Sequence, residues 1–187
     1  MRDRYRQDVD RAVVEFGAGS GRRWTDAQIA KAKRICYRTI WAECDWRNWA
    51  NPRVPTSIDF KPNDGYPPNG GSLDSVGIYQ QREASGWGSV EGSMSPFTAT
   101  IRFLTSMIGD APQWFAEPDE AITCQRVQRS QFDGVKINPA TGKPYIYAQN
   151  YRDRTAQTLA VEADMLYFTH LTEPAVLPAR IPFVVKR

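Results

Sequence analysis

The chain has 187 residues, a formal net charge of +3, 41% hydrophobic residues and 24% charged residues. That length fits one domain with a sizeable core, and the composition is that of an ordinary globular protein. The small positive charge contains no Lys/Arg run of about five or more, which argues against a nucleic-acid partner. No run of about 18 apolar residues is present to span a membrane.

The N-terminal MRDRYRQDVD is charged and lacks the apolar segment of a secretion signal. Residues 3–16 predict an amphipathic helix with Tyr5, Val9, Ala12, Val13 and Phe16 on one side. The glycine-rich run 17–21 is expected to break it as a flexible joint, making residues 1–23 an N-terminal extension. The main domain is expected over residues 24–171. Its first helix starts at a capping box, Thr25 with Gln28, with Trp24 stapled onto Ile29. It should run to about Asn48, before Asn51-Pro52.

Residues 50–74 carry Pro52, Pro55, Pro62, Pro67 and Pro68 and read as a long surface loop that walls or covers a site. Ser75–Tyr79 is a short strand or turn. Ser95 caps, and Pro96 opens, a helix closed at Gly109, with Phe97, Ile101, Leu104 and Ile108 as its buried stripe. Pro118-Asp119 opens another helix to about Gln131, and 138–144 is turn-rich, the tip of a β-hairpin. A last helix covers about Ala148 to Leu171. Residues 172–187 form an extended, proline-containing tail, packed on the body or held by a partner. The expected class is mainly α (α+β) with minor short β elements.

Ile29, Ala32, Cys36, Ile40 and Glu43 follow one another at spacings of three and four, so they share one helix face. A carboxylate at the end of that apolar stripe is desolvated, and its protonated form is favoured. Such an acid can protonate a glycosidic oxygen. The bland alternative has Glu43 reaching solvent or pairing with Arg38 or Arg47. Downstream, Ser75 to Gly88 reads SVGIYQQREASGWG. Gly77 allows close backbone approach, while Gln80 and Gln81 offer donors and acceptors to sugar hydroxyl or acetamido groups. Tyr79 and Trp87 offer flat faces for sugar rings. A tight turn with packed aromatics is the alternative there.

Other chemistries find little support. His170 is the only histidine, and no convergent set of nitrogen or sulfur ligands suggests a metal. It is expected as a cation near a helix C-terminus. Cys36, Cys44 and Cys124 lack CxxC spacing and are expected as buried thiols, with no disulfide framework. A Cys/His peptidase would have to join His170 to one of them, and nothing around these cysteines suggests a nucleophile. GAGSG lacks a preceding strand, so no nucleotide loop is expected.

A helix-borne glutamate followed by a Gly-x-x-Gln turn resembles the lysozyme-like domain of lytic transglycosylases and phage cell-wall hydrolases. The resemblance covers roughly residues 25 to 130. It is nearest to actinobacterial and actinophage domains in Ser-Val-Gly-x-x-Gln-Gln-Arg (75–82), Gly-Trp-Gly (86–88) and Val-Gln-Arg-Ser (127–130). It implies a lysozyme-like fold, Glu43 as general acid and base, and substrate contacts from Gly77, Tyr79, Gln80, Gln81 and Trp87. It also implies cleavage of the MurNAc–GlcNAc β-1,4 bond of bacterial peptidoglycan, with no cofactor. Two departures stand out: Cys44 replaces the family's serine after the glutamate, and the family's late Asn-Tyr element is matched only loosely. Tyr147 and Tyr151 are the candidates for it. A hydrolase would need a second carboxylate, from Asp59, Asp64, Asp74 or Glu83. A transglycosylase needs none, because the sugar's 6-hydroxyl attacks. The implied setting is a phage endolysin or tail-associated protein, in the virion tail or in host cytoplasm before release to the wall, with other tail proteins as partners. A structural tail or wall-binding protein that keeps the fold without turnover stays open.

Overall fold

The computed structural model describes residues 2–19, 21, 23–68, 70 and 73–172. The chain is mainly α-helical, as its patterning predicts. Helix α1 spans Arg2–Ala18 and buries Tyr5, Val9, Ala12, Val13 and Phe16, the side expected from their spacing. Tyr5, Val9, Val13 and Phe16 join the same core as the later helices. The predicted extension is therefore built into the body.

Helix α2 (Asp26–Cys44) is the central element and packs against α1 and the helices that follow. The Gln28 amide donates to Thr25 Oγ1 at 3.3 Å, and the Thr25 amide donates back to Gln28 Oε1 at 2.8 Å. Both arms of the capping box are thus made. Trp24 lays its ring against Phe16 and Trp114, with centroids 5.4 and 5.0 Å apart. Ile35, Cys36, Tyr37 and Ile40 are fully buried. The helix ends at Cys44, before the expected Asn48, because Asp45 and Trp46 turn left-handed, with φ of 54° and 59°. Asp tolerates that conformation, and the reversal buries Trp46 beside Tyr37, the ring centroids 5.4 Å apart.

The proline-rich stretch that follows is held by buried amides. Asn48 Nδ2 donates to the Pro62 and Met94 carbonyls at 2.7 and 2.8 Å. Asn51 Nδ2 reaches the Ser75 carbonyl at 3.0 Å, and the Gly77 amide donates to the Trp49 carbonyl at 2.8 Å. Side chains thus satisfy backbone groups that a sheet would otherwise pair. The expected strand or turn at 75–79 is a turn, flanked by isolated bridges Trp49–Gly77 and Val76–Gln81.

Helices α3 (Val90–Met94) and α4 (Pro96–Asp110) come next. Ser95 Oγ caps α4, accepting from the Thr98 amide at 3.3 Å. The buried face of α4 is Ala99, Thr100, Phe103, Leu104 and Met107, so the expected stripe is displaced. Phe97, Ile101 and Ile108 are only partly buried, and Arg11 of α1 lies over the Phe97 ring at 4.4 Å. This helix is apolar on more than one side, and its neighbours choose the face. Asp119 caps α5 (Glu120–Gln128), which stops at left-handed Arg129. Strands β1 (Ile137–Asn138) and β2 (Lys143–Pro144) pair antiparallel as the predicted hairpin.

The last predicted helix is two: α6 (Gln149–Arg152) and α7 (Thr155–Thr172). Glu120 of α5 locks that helix to α2 through charge, and Glu162 ties α7 to Arg34 of α2. Glu120 accepts from Arg34 Nε at 2.7 Å and Arg38 Nη2 at 3.4 Å, while Arg34 also reaches Glu162 at 3.1 Å. The extended tail lies outside the described residues from 173 onward, as does the side chain of His170. Among the described residues no helix is long and apolar enough to cross a membrane. The three cysteines are free and buried.

Candidate functional site

Two cavities of about 640 and 610 Å³ meet at Glu43, Ser75 and Gln80, which line both. Their common wall makes one groove with Glu43 near its middle. The C-terminal end of α2 delivers Glu43, as the three-and-four spacing predicts. Trp41, Arg47, Trp49, Pro67, Pro68 and Arg154 belong to the first cavity. The proline-rich loop therefore forms one wall, as expected. Arg82, Trp87 and the run Val127 to Ser130 belong to the second.

Glu43 is partly buried, and burial raises its carboxyl from the usual 4.5 to about 7. A hydrogen bond from the Tyr151 hydroxyl to Glu43 Oε1, 2.7 Å long, acts in the opposite direction. Among the described residues no cation pairs with Glu43: Arg38 turns to Glu120 and Thr155, and Arg47 lies over Trp49. The pairing alternative for Glu43 is not adopted. A carboxyl poised near neutrality at the wall of an open groove can both give and take a proton.

The turn after Val76 holds the site by packing. Gly77 has φ of +79°, and a Cβ there would lie 1.9 Å from the Ser93 carbonyl oxygen. Its lack of a side chain thus serves close approach to α3, where ligand approach was the expectation. Gln80 faces the groove, with Nε2 donating to the Gly77 carbonyl at 2.9 Å. Gln81 does not face it: its side chain is buried and donates to the Ala99 carbonyl at 3.2 Å. Tyr79 is buried too, its ring stacked on Phe103 at 4.8 Å and its hydroxyl 3.2 Å from Thr100 Oγ1. Its expected sugar-facing role gives way to a core role, because the turn aims the ring inward.

Trp87 lines the second cavity, as expected. Tyr151 is fully buried and meets Glu43, so its contact is with the acid and not with open groove. Tyr147 lines neither cavity and is partly exposed. Cys44 donates Sγ to the Ile78 and Ile40 carbonyls at 3.0 and 3.3 Å. It fastens the helix end to the turn that carries Gln80.

None of the four loop carboxylates considered as a partner for Glu43 lines either cavity. Asp74 pairs with Arg82, and Asp64 accepts from the Asn48 amide at 2.6 Å. Asp59 and Glu83 are exposed elsewhere. The other carboxylates that do line the groove are Asp45 and Asp110, and Asp110 is paired with Arg129 at 3.0 Å. Among the described residues no three His, Cys, Asp or Glu side chains gather to hold a metal ion.

Sequence reasoning passed over Ser75, Trp41, Arg47 and Arg154 as site residues. Trp41 and Arg47 carried a signal, since they stand close to Glu43 in the chain on either side of it, whereas nothing local marks Arg154. The chain matches no family model and no curated protein.

Proposed function

We propose that this protein cleaves the MurNAc–GlcNAc β-1,4 bond of bacterial peptidoglycan, as a lysozyme-like enzyme of the lytic transglycosylase type. The observation that carries the reading is the place of Glu43: a carboxyl raised to about 7 where two cavities of one groove meet. A polymer lying in the groove presents sugar on both sides of the acid, so an internal linkage is within its reach.

In the proposed reaction protonated Glu43 gives its proton to the glycosidic oxygen, and the bond from that oxygen to C1 of MurNAc breaks. The 6-hydroxyl of the same sugar then bonds through oxygen to C1 and returns its proton to the Glu43 carboxylate. The products are a 1,6-anhydro-MurNAc end and a free GlcNAc 4-hydroxyl, with the acid restored. No second carboxylate is required, in keeping with Asp59, Asp64, Asp74 and Glu83 lying off the groove. Gln80 and Trp87 supply polar and stacking contacts along the strand. The setting proposed is that of a phage endolysin or a tail-borne wall-opening protein.

Mass spectrometry of fragments released from purified actinobacterial peptidoglycan tests the assignment. The reading expects 1,6-anhydro-MurNAc ends. Reducing MurNAc ends would make the enzyme a hydrolase, and peptide-only products would overturn glycosidic cleavage. Wall binding without any release would favour a structural, wall-binding role.

A further inference from the structure

The two halves of the groove differ in how their arginines are matched. In the second cavity Arg82 is paired with Asp74, and Arg129 with Asp110. In the first cavity Arg47 and Arg154 make no ion pair among the described residues. Arg47 follows α2, its guanidinium carbon 5.1 Å from the Trp49 ring centroid. Arg154 sits at the junction of α6 and α7. Asp45 is the one carboxylate beside them apart from Glu43 itself. With Glu43 protonated, that half keeps an excess of positive charge.

We infer that Arg47 and Arg154 take a carboxylate carried by the muramyl sugar of the glycan strand, an inference that rests on the peptidoglycan reading above. The strand alternates neutral GlcNAc with MurNAc, and only MurNAc carries an acid. That acid is the 3-O-lactyl carboxylate when the strand is peptide-free, or carboxylates of the stem peptide when it is not. Two guanidinium forks suit a carboxylate, and stacking on Trp49 orients one of them in advance. A single exposed pair contributes little, so the argument depends on two cations sharing one cavity. The charge difference also sets strand direction. MurNAc falls on the Arg47–Arg154 side of Glu43 and GlcNAc on the matched side, which brings the MurNAc–GlcNAc bond to the acid.

The test is calorimetric binding of GlcNAc–MurNAc tetrasaccharides to the Glu43→Gln protein, with and without Arg47→Gln and Arg154→Gln. Each ligand is prepared peptide-free and peptide-bearing, with carboxylates free or capped as amides. Capping should weaken binding about tenfold where both arginines are present and less than about twofold where both are replaced. An effect with the peptide-free ligand assigns the lactyl carboxylate, and one confined to the peptide-bearing ligand assigns the stem. Equal effects of capping on both proteins, or no binding to either ligand, would overturn the inference. Failure of the glycosidase reading shows separately, as wild-type protein that releases no saccharide yet still distinguishes free from capped ligand.

Discussion

The hydroxyl of Tyr151 donates to Oε1 of Glu43 at 2.7 Å, joining two residues 108 positions apart in the chain. The bond occupies one carboxyl oxygen, while Oε2 has no hydrogen-bond partner among the described residues. Burial and this bond act in opposite directions on the acid. Burial raises its pKa and is the larger effect, while the donor stabilises the carboxylate and lowers it.

Replacing Tyr151 by Phe removes only the donor. Glu43 should then hold its proton to higher pH, and the alkaline limb of kcat/KM should move upward. A pH–rate profile of the two proteins on soluble glycan strands checks this. An alkaline limb that stays in place would show that Tyr151 does not set the acid.

The same burial has a consequence for stability. The folded-state pKa of Glu43 lies above the unfolded value of about 4.5, near 7. Its contribution is fully present below about pH 4.5 and is lost as pH rises through about 7. Glu43→Gln does not titrate, so its stability relative to wild type should rise between pH 4 and pH 8. The change is on the order of 3 kcal/mol. Urea unfolding at the two pH values measures it, and a difference that does not vary with pH would contradict a buried, titrating Glu43.

Gly77 and Gly86 both have positive φ, of 79° and 82°, but their surroundings differ. A Cβ on Gly77 meets the Ser93 carbonyl oxygen at 1.9 Å, whereas one on Gly86 meets nothing within 4 Å. Gly86→Ala should cost about 1 kcal/mol from left-handed strain alone. Gly77→Ala should cost roughly 3 kcal/mol or more, because α3 must also move away from the turn. Thermal unfolding of the two variants separates the contributions, and similar losses would mean that the Gly77 contact yields easily.

The parts of this arrangement that were legible in the sequence are those fixed by short-range chemistry. Thr25 and Gln28 are three residues apart and cap one helix. Glu43 follows Cys36 and Ile40 on one helical face, and the 138–144 turn closes a hairpin. Tyr79 was misleading because an aromatic ring in a glycine turn suits a sugar or a core equally well. Its inward aim depends on Phe103 and Thr100, which a sequence window around residue 79 does not contain. Gln80 and Gln81 are chemically identical neighbours, and only the turn's geometry turns one to the groove and the other to Ala99. The displaced stripe of α4 has the same origin, since helices elsewhere in the chain select its buried face. Arg154 reaches the first cavity through the break between α6 and α7, which the continuous helix expected there would not provide.

The most direct test of the central claim is the rate at which Glu43→Gln releases glycan fragments from peptidoglycan, beside wild type. If Glu43 is the acid and base, release should fall by about 10²–10⁴-fold, with circular dichroism and wall binding unchanged. Release at the wild-type rate by a folded Glu43→Gln protein would contradict the assignment.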